Sequence, residues 1–427
     1  MYKKMNYIDL FAGAGGLSEG FIKTGYEAIA HVEMNHDAAN TLRTRLSYYY
    51  LKKNKKINLY YKYLRKEITR EDLYKEIPAE VLNTVIEKEI TIKTLPSIFK
   101  TIDDILVGKN VDIIVGGPPC QAYSLVGRPK QQKIKEDQKN GREIDDDRKY
   151  LYKLYFEFLK YYEPKLFVYE NVPGLLNLDD GKYWKDIKKI FRELGYEVNY
   201  RQLNSKDFGV PQERKRIILI GTIGSTKFVF PDFSTKKNNC TLKELLDDLP
   251  SIQAGEELNE YNDNKPHSYT MKHFRSKDDV LTWHLARRHN DRDREIYRIA
   301  IKKWIENNQQ KRLHYYELPK ELITHKNTKD FTDRFKIIPP NLYHSHTVLA
   351  HIAKDGHYYI HYDLKQARSL TVREAARLQS FPDNFYFEGS RTAAYTQIGN
   401  AVPPMMAEGI AKEIKKQLRI KGGKNVG

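Results

Sequence analysis

Four short apolar runs in this chain each end in a glycine-rich or acidic turn, and that arrangement restricts the fold more than any other feature. Tyr7 to Phe11 runs into Ala12-Gly13-Ala14-Gly15-Gly16 and then into a helix opening. Ala28 to Val32 ends in Glu33, Val111 to Val115 ends in Gly116-Gly117-Pro118-Pro119-Cys120, and Leu166 to Tyr169 ends in Glu170-Asn171-Val172-Pro173-Gly174. Continuous apolar runs of strand length, alternating with helical segments, read as parallel strands of a doubly wound α/β sheet. Ligands of such sheets bind beyond the carboxyl ends of the strands. Gly13, Glu33, Cys120 and Glu170 are therefore expected to converge at one edge.

A further run, Arg216 to Gly221, follows Gln212-Glu213-Arg214-Lys215, and a helix is expected around Leu151 to Tyr161. After the Glu33 strand a helix is expected from Asp37 to about Arg45. From Arg43 to Lys75 there are eleven basic residues, three acidic ones and seven tyrosines, and Val81, Val85 and Ile86 continue at helical spacing. This reads as a helical appendage inserted at about 46–95. A helix after the Glu33 strand runs back to the amino edge of the sheet, so the appendage is expected to sit away from the site. From about Lys227 to Tyr343 the α/β rhythm stops. Near the end, Arg368 to Phe381 reads as one amphipathic helix, Ile398 to Pro404 as a turn, and Met405 to Leu418 as a final helix returning to the first domain. The expected division is a first domain at 1–225, a second domain with a hinge at 226–390, and a returning segment at 391–427.

With 73 Lys plus Arg against 56 Asp plus Glu, the net charge is +17, which favours polyanionic partners. Two cysteines, Cys120 and Cys240, exclude a disulfide scaffold and any multi-cysteine metal site, and fit a reducing cytoplasm. Asp9 and Glu19 interrupt the apolar amino-terminal stretch, so no export signal is expected, and no run approaches the roughly 18 residues of a membrane span.

The spacing Gly13-x-Gly15-Gly16 departs from G-x-G-x-x-G, and no G-K-S/T cradle exists, which argues against hydride transfer and nucleotide hydrolysis. Glu33 stands roughly 20 residues beyond the glycines, where such folds place an acid for ribose hydroxyls. Two prolines and two glycines before Cys120 present it rigidly, as a nucleophile needs. Cys240, lacking that frame, reads as a small buried hydrophobe. Glu170 would lie near Cys120 if both strands end on the same edge, giving a thiol and a carboxyl side by side. Gln212, Arg214 and Arg216 alternate along a strand start, so their side chains are expected on one face, clamping a carbonyl or phosphate. His284, His289, His344 and His346 lack metal-ligand spacing and are read as packing or nucleic-acid contacts, with no metal.

Together these segments resemble the DNA cytosine-5 methyltransferase family. The resemblance rests on Asp9-Leu10-Phe11-Ala12-Gly13-x-Gly15-Gly16, Gly117-Pro118-Pro119-Cys120-Gln121, Glu170-Asn171-Val172-x-Gly174 and Gln212-x-Arg214-x-Arg216. It continues in Arg368-x-Leu370-Thr371-x-Arg373-Glu374-x-Ala376-Arg377-Leu378-Gln379-x-Phe381-Pro382 and Gly399-Asn400-Ala401-Val402. It implies a Rossmann-like methyltransferase sheet with a smaller target-recognition domain, acting on a flipped-out cytosine in duplex DNA. Cys120 would be the nucleophile, Glu170 the acid at the base and Arg216 the ligand of the ring carbonyl, with Arg214 in support. The implied cofactor is S-adenosyl-L-methionine, its methionine portion near Phe11, Gly13, Gly15 and Leu17, its ribose on Glu33 and its adenine near Asp104 and Ile105. Pro118, Asn400 and Val402 would complete that site. The resemblance also implies a restriction-modification setting with a separately acting endonuclease, and a monomer on DNA in the cytoplasm, associated with the nucleoid. Two rivals remain at this point, a transfer-RNA cytosine-5 methyltransferase and a non-catalytic DNA-binding relative.

Overall fold

Seven strands, β1 (Asn6–Leu10), β2 (Glu27–Glu33), β3 (Val85–Glu87), β4 (Ile113–Gly116), β5 (Leu166–Asn171), β6 (Tyr196–Asn204) and β7 (Lys215–Ile223), form one sheet ordered β3-β2-β1-β4-β5-β7-β6. They belong to a computed structural model that describes residues 4–119, 151–224, 227–234, 238–307, 312–324 and 332–422; Cys120 and the polar segment to residue 150 lie outside the described residues. The order reverses between β1 and β4, which are parallel neighbours, so the crevice at their carboxyl ends is the switch point where open sheets hold ligands. β7 runs antiparallel to β5 and β6. Its first residues therefore sit at the same edge as the last residues of β5.

Strand residues alternate between two cores, as the pleat requires. Ile8, Leu10, Ile114, Phe167, Tyr169, Ile217 and Leu219 face one apolar cluster, and Tyr7, Ile113, Val115, Leu166, Val168, Ile218 and Ile220 face the other. The first is covered by α6 (Leu95–Leu106), α7 (Leu151–Tyr162) and α8 (Lys182–Glu193). The second is covered by α1 (Gly16–Lys23) and the last helix, α14 (Pro404–Gly422), which returns to the first lobe. Among the described residues no helix is long and apolar enough to cross a membrane.

The appendage is helical, but its limits differ from the expectation. The helix after β2, α2 (His36–Lys53), runs past Arg45 and is followed by α3 (Ile57–Leu64), α4 (Arg70–Lys75) and α5 (Ala79–Leu82). Val85 and Ile86 do not continue it: they form β3, the sheet edge beside β2. β-branched residues in a buried three-residue strand overrode a helical spacing that carried only three points. The insert packs on the second lobe, where Tyr60 donates to the Asn384 carbonyl at 2.9 Å and Tyr63 to Glu388 at 2.7 Å.

The second lobe is mostly irregular, with α9 (Leu242–Leu246), α10 (Ser268–His273), α11 (Asp291–Glu306), α12 (Val372–Leu378) and α13 (Arg391–Asn400). α12 is shorter than the 368–381 expected, and buried all round rather than amphipathic. Thr371 and Glu374 form its capping box, which fixes the start at Val372. The arginines in and just before it are neutralised internally: Arg377 pairs with Asp248 and Asp383, and Arg368, ahead of the helix, forks onto Glu374 at 2.8 Å through both terminal nitrogens. The expected turn at 398–404 is in part the end of α13, and only 401–403 connect it to α14.

Candidate active site

The turn after β1 is built around backbone that side chains resist. Phe11 takes φ 55° and Gly13 φ 54°, and a Cβ added at Gly13 would meet nothing, so open space lies in front of the turn. Glu33, at the carboxyl end of β2, accepts from Gly13 N at 2.7 Å and from Asn35 N at 2.8 Å. Burial raises its pKa, against these backbone donors. Glu33 thus shapes the turn as well as offering a carboxylate beside it. Beneath, Asp9 accepts from the Ser18 hydroxyl at 2.6 Å, while its other oxygen is buried without a partner. Burial, opposed by Ser18 and reinforced by Glu33, carries the Asp9 carboxyl to about 7.

The second half of the site joins β4 to β5 and β7. A Cβ on Gly117 would lie 2.5 Å from Glu170 Oε2, so only glycine lets the turn after β4 pass this close to the carboxylate. Asn171 Nδ2 donates to the Pro118 carbonyl at 3.3 Å and ties the same turn to the end of β5. Arg216 Nε meets Glu170 Oε1 at 2.7 Å. The chain that enters Cys120 is thereby pinned beside a carboxylate–guanidinium pair.

Two sequence expectations need revision. The triplet Gln212, Arg214 and Arg216 is not one clamp. Arg214 is fully buried, donating to the carbonyls of Val348 at 2.8 Å and Gly399 at 2.9 Å. Gln212 accepts from Val348 N at 2.7 Å and donates to the Leu378 carbonyl at 3.2 Å. Both are joints between the lobes.

Asp104 and Ile105 are not beside the glycine turn. They occupy the last turn of α6, which runs antiparallel to the strands and ends at the amino edge, where Tyr161 at the end of α7 donates to neighbouring Asp103 at 2.7 Å. At the carboxyl edge the neighbour of Glu33 is instead Lys88, whose N donates to the Glu33 carbonyl at 3.0 Å. Glu89 and Ile90 follow directly, with Met34 exposed next to Glu33. An acid–isoleucine pair straight after a strand is the available signal, and the helical spacing of Val81, Val85 and Ile86 hides it.

Leu17 is buried in the apolar cluster that includes Val402 and Met406, while Asn400 is exposed at the end of α13. Cys240 is buried, its thiol pushed up to about 12 by desolvation. His284 is a satisfied core histidine, 2.7 Å from the Pro250 carbonyl and 3.2 Å from the Thr371 hydroxyl, and burial lowers it to about 4. Ligand-type atoms of Cys240, Glu244 and His267 lie within 4.8 Å of one another. However, Glu244 and His267 Nδ1 already accept from the backbone N–H of Thr241 and Tyr269 as helix caps.

The family model of C-5 cytosine-specific DNA methylase matches residues 5–73 and 80–416. The chain belongs to the C-5 cytosine-specific DNA methylase family. It is a DNA cytosine-5 methyltransferase. Among relatives of this methylase, type II methyltransferase M.Bpa9945I of Bacillus paralicheniformis is 41% identical, over 96% of this chain and 98% of that protein. Type II methyltransferase M1.HphI of Haemophilus parahaemolyticus is 30% identical over 96% and 87%. In fold, the methylase resembles a putative DNA modification methyltransferase encoded within a prophage of E. coli, with a TM-score of 0.61 at 21% identity, covering 97% of this chain and 100% of that one.

Proposed function

We propose that this methylase transfers a methyl group from S-adenosyl-L-methionine to carbon 5 of a cytosine flipped out of a specific duplex site, through a covalent adduct with Cys120. The observation that carries the reading is the Glu170–Arg216 pair, held against the Gly117–Pro118 turn that leads into Cys120. Carbon 5 of cytosine is too electron-poor to attack unaided. The Cys120 thiolate adds to carbon 6, and the electron pair displaced through the ring is received at nitrogen 3, where the Glu170 carboxyl delivers a proton. Arg216 holds Glu170 in place and offers its remaining N–H groups to the ring carbonyl. When bound, S-adenosyl-L-methionine supplies the electrophilic methyl group. A base then takes the carbon-5 proton, the electrons of that bond reform the double bond, the Cys120 thiolate leaves, and nitrogen 3 gives its proton back to Glu170.

The chain's own residues suit that cofactor. Open space in front of Gly13 and the Glu33 carboxylate beside it fit an amino-acid tail and a ribose. Glu89 and Ile90 take the adenine role first assigned to Asp104 and Ile105. The irregular second lobe, rich in Arg, His and Asn, reads the DNA sequence, and the setting is a restriction-modification system with a separate endonuclease, the methylase acting as a monomer in the cytoplasm.

Tritiated methyl transfer from the cofactor to duplex DNA, with transfer RNA alongside, tests the reading. Duplex containing 5-fluorocytosine should trap the wild type covalently and Cys120→Ser not at all, since fluorine cannot leave as a proton does. Transfer to RNA alone, or turnover by Cys120→Ser above about a hundredth of wild type, overturns it.

A further inference from the structure

Arg368, Arg373 and Arg377, buried in the second lobe, each meet a carboxylate, but the half-buried Arg287 and Arg391 and the exposed Arg288 do not. Arg287 lies over the Tyr395 ring with Cζ 5.8 Å from its centroid, and Tyr395 stands one helical turn after Arg391 on α13. Arg288 is the next residue, its stem packed over Gly255, where an added Cβ would approach its Cγ to 2.9 Å. Arg287 is held in place by the carbonyls of Lys354 at 2.7 Å and of Ile352 and Ala353 at 2.9 Å. None of the three makes an ion pair with a carboxylate among the described residues. The Nε–H groups of Arg287 and Arg391 are buried and have no acceptor. Burial lowers the pKa of Arg391, Tyr395 opposes this, and Arg287 and Arg288 lower it further.

Gathering three like charges and leaving two buried donors unmet is unfavourable unless an anion completes the arrangement. Arg391 lies near the carboxyl edge of the sheet, the edge that carries Glu33 and Glu170. A Cβ on Gly389, two residues before Arg391, would lie 2.3 Å from the Asp37 carboxyl carbon, in the first turn of α2 at the carboxyl edge of the sheet. Guanidinium forks match phosphate oxygens in geometry and charge.

We infer that Arg287, Arg288 and Arg391 form a seat for a backbone phosphodiester of the substrate duplex, a contact that positions the DNA without reading its sequence. The inference rests on the reading of the chain as an enzyme of duplex DNA. Phosphate contacts of this kind fix register on the duplex, while sequence is read at base edges elsewhere.

The test measures binding of a labelled duplex by fluorescence anisotropy across a salt series, for full-length wild type, Arg288→Gln, Arg391→Gln and Arg391→Lys. Melting temperature and equilibrium binding of tritiated S-adenosyl-L-methionine serve as controls. Each Gln variant should bind about fivefold more weakly at low salt, equally on specific and random duplexes. Each should also lower the slope of log affinity against log salt by about 1, whereas Arg391→Lys should keep the slope. Unchanged affinity and slope in both Gln variants overturns the inference, as does a loss confined to one DNA sequence. Inorganic phosphate raising the melting temperature of wild type but not of the variants, with DNA affinity unaltered, would assign the seat to free phosphate and overturn it too. If Arg391→Gln does not fold, exposed Arg288 decides alone. Wild type that neither binds nor methylates duplex would instead sink the underlying function.

Discussion

Arg216 reaches Glu170 diagonally across two antiparallel strands: Ile218 registers opposite Glu170, and Arg216 precedes it by two residues on the same face, closing a 2.7 Å contact. A carboxyl held this way can present its second oxygen to a base. Glu170→Gln should cut single-turnover methylation by about a hundredfold or more while cofactor affinity changes little. Arg216→Lys, which keeps the charge but loses the fork, should fall between the two. Parallel measurement of cofactor dissociation and single-turnover rate decides it; a loss chiefly of cofactor affinity would place Glu170 in the other half of the site.

Glu33→Ala should show the reverse pattern, weakening equilibrium cofactor binding by about tenfold or more, because it removes both a ligand carboxylate and the acceptor of Gly13 N. Asp104→Ala should leave cofactor affinity unchanged, since that residue lies at the opposite edge of the sheet. Equal losses from both would contradict the topology.

Glu19 and Arg45 are an ion pair inside the first lobe, 2.6 Å apart, with Tyr49 donating to the same carboxylate at 2.9 Å. Burial alone would raise the Glu19 pKa, but Arg45 and then Lys23 outweigh it and carry it down to about 2. A carboxyl depressed on folding contributes stability above its unfolded pKa and loses it as pH falls toward the folded value. The methylase should therefore lose stability between roughly pH 4.5 and 2, and Glu19→Gln should flatten that part of a melting-temperature profile. Arg45→Met, leaving Glu19 buried and uncompensated, should cost about 3–5 kcal/mol at neutral pH by denaturant titration.

Arg377→Met should be damaging but less so, because the fully buried Asp248 and Asp383 lose their shared partner while Asp248 keeps Arg275 at 2.8 Å and Asp383 keeps the more distant Arg373. Cys240→Ala, which removes a buried thiol outside any site, should cost only about 1–2 kcal/mol and leave methylation intact.

Lys52, Lys53, Lys55 and Lys56 are exposed at the turn between α2 and α3. Replacing all four by Gln should leave methylation of a short duplex within about twofold of wild type, with any effect on long DNA independent of sequence and sensitive to salt. A large loss on the short duplex would show that this tip reaches the DNA held in the cleft.

The sheet was legible wherever strands were buried on both faces, because such strands are continuous apolar runs that end in turns. β6 was not, since Tyr196-Glu-Val-Asn-Tyr-Arg-Gln-Leu-Asn is an edge strand paired only with β7 and most of its residues are not buried. α12 was overextended for a related reason. Its arginines read as a solvated face, yet Arg373 and Arg377 are buried on carbonyls and carboxylates far away in sequence. That Gly117, Glu170 and Arg216 meet at one edge was legible from the strand ends on which they stand. Which arginine of the 212–216 triplet meets Glu170 depended on the carbonyls of Val348 and Gly399, whose position no local pattern carries.

The closing of α14 onto α1 has a consequence for how the molecule comes into being. Gly20 of α1 lies so close to Ala407 that an added Cβ would be 2.6 Å from that residue's own Cβ. Leu17 and Phe21 share their apolar cluster with Val402, Met406 and Ile410. The first lobe therefore lacks one wall until α14 emerges from the ribosome, after the whole second lobe. A nascent chain halted anywhere before Pro404 would expose that seam, and no partial product would assemble a finished glycine turn. The glycine turn that opens α1 is therefore backed only once α14 has docked, so the two distant segments of the chain complete one wall together.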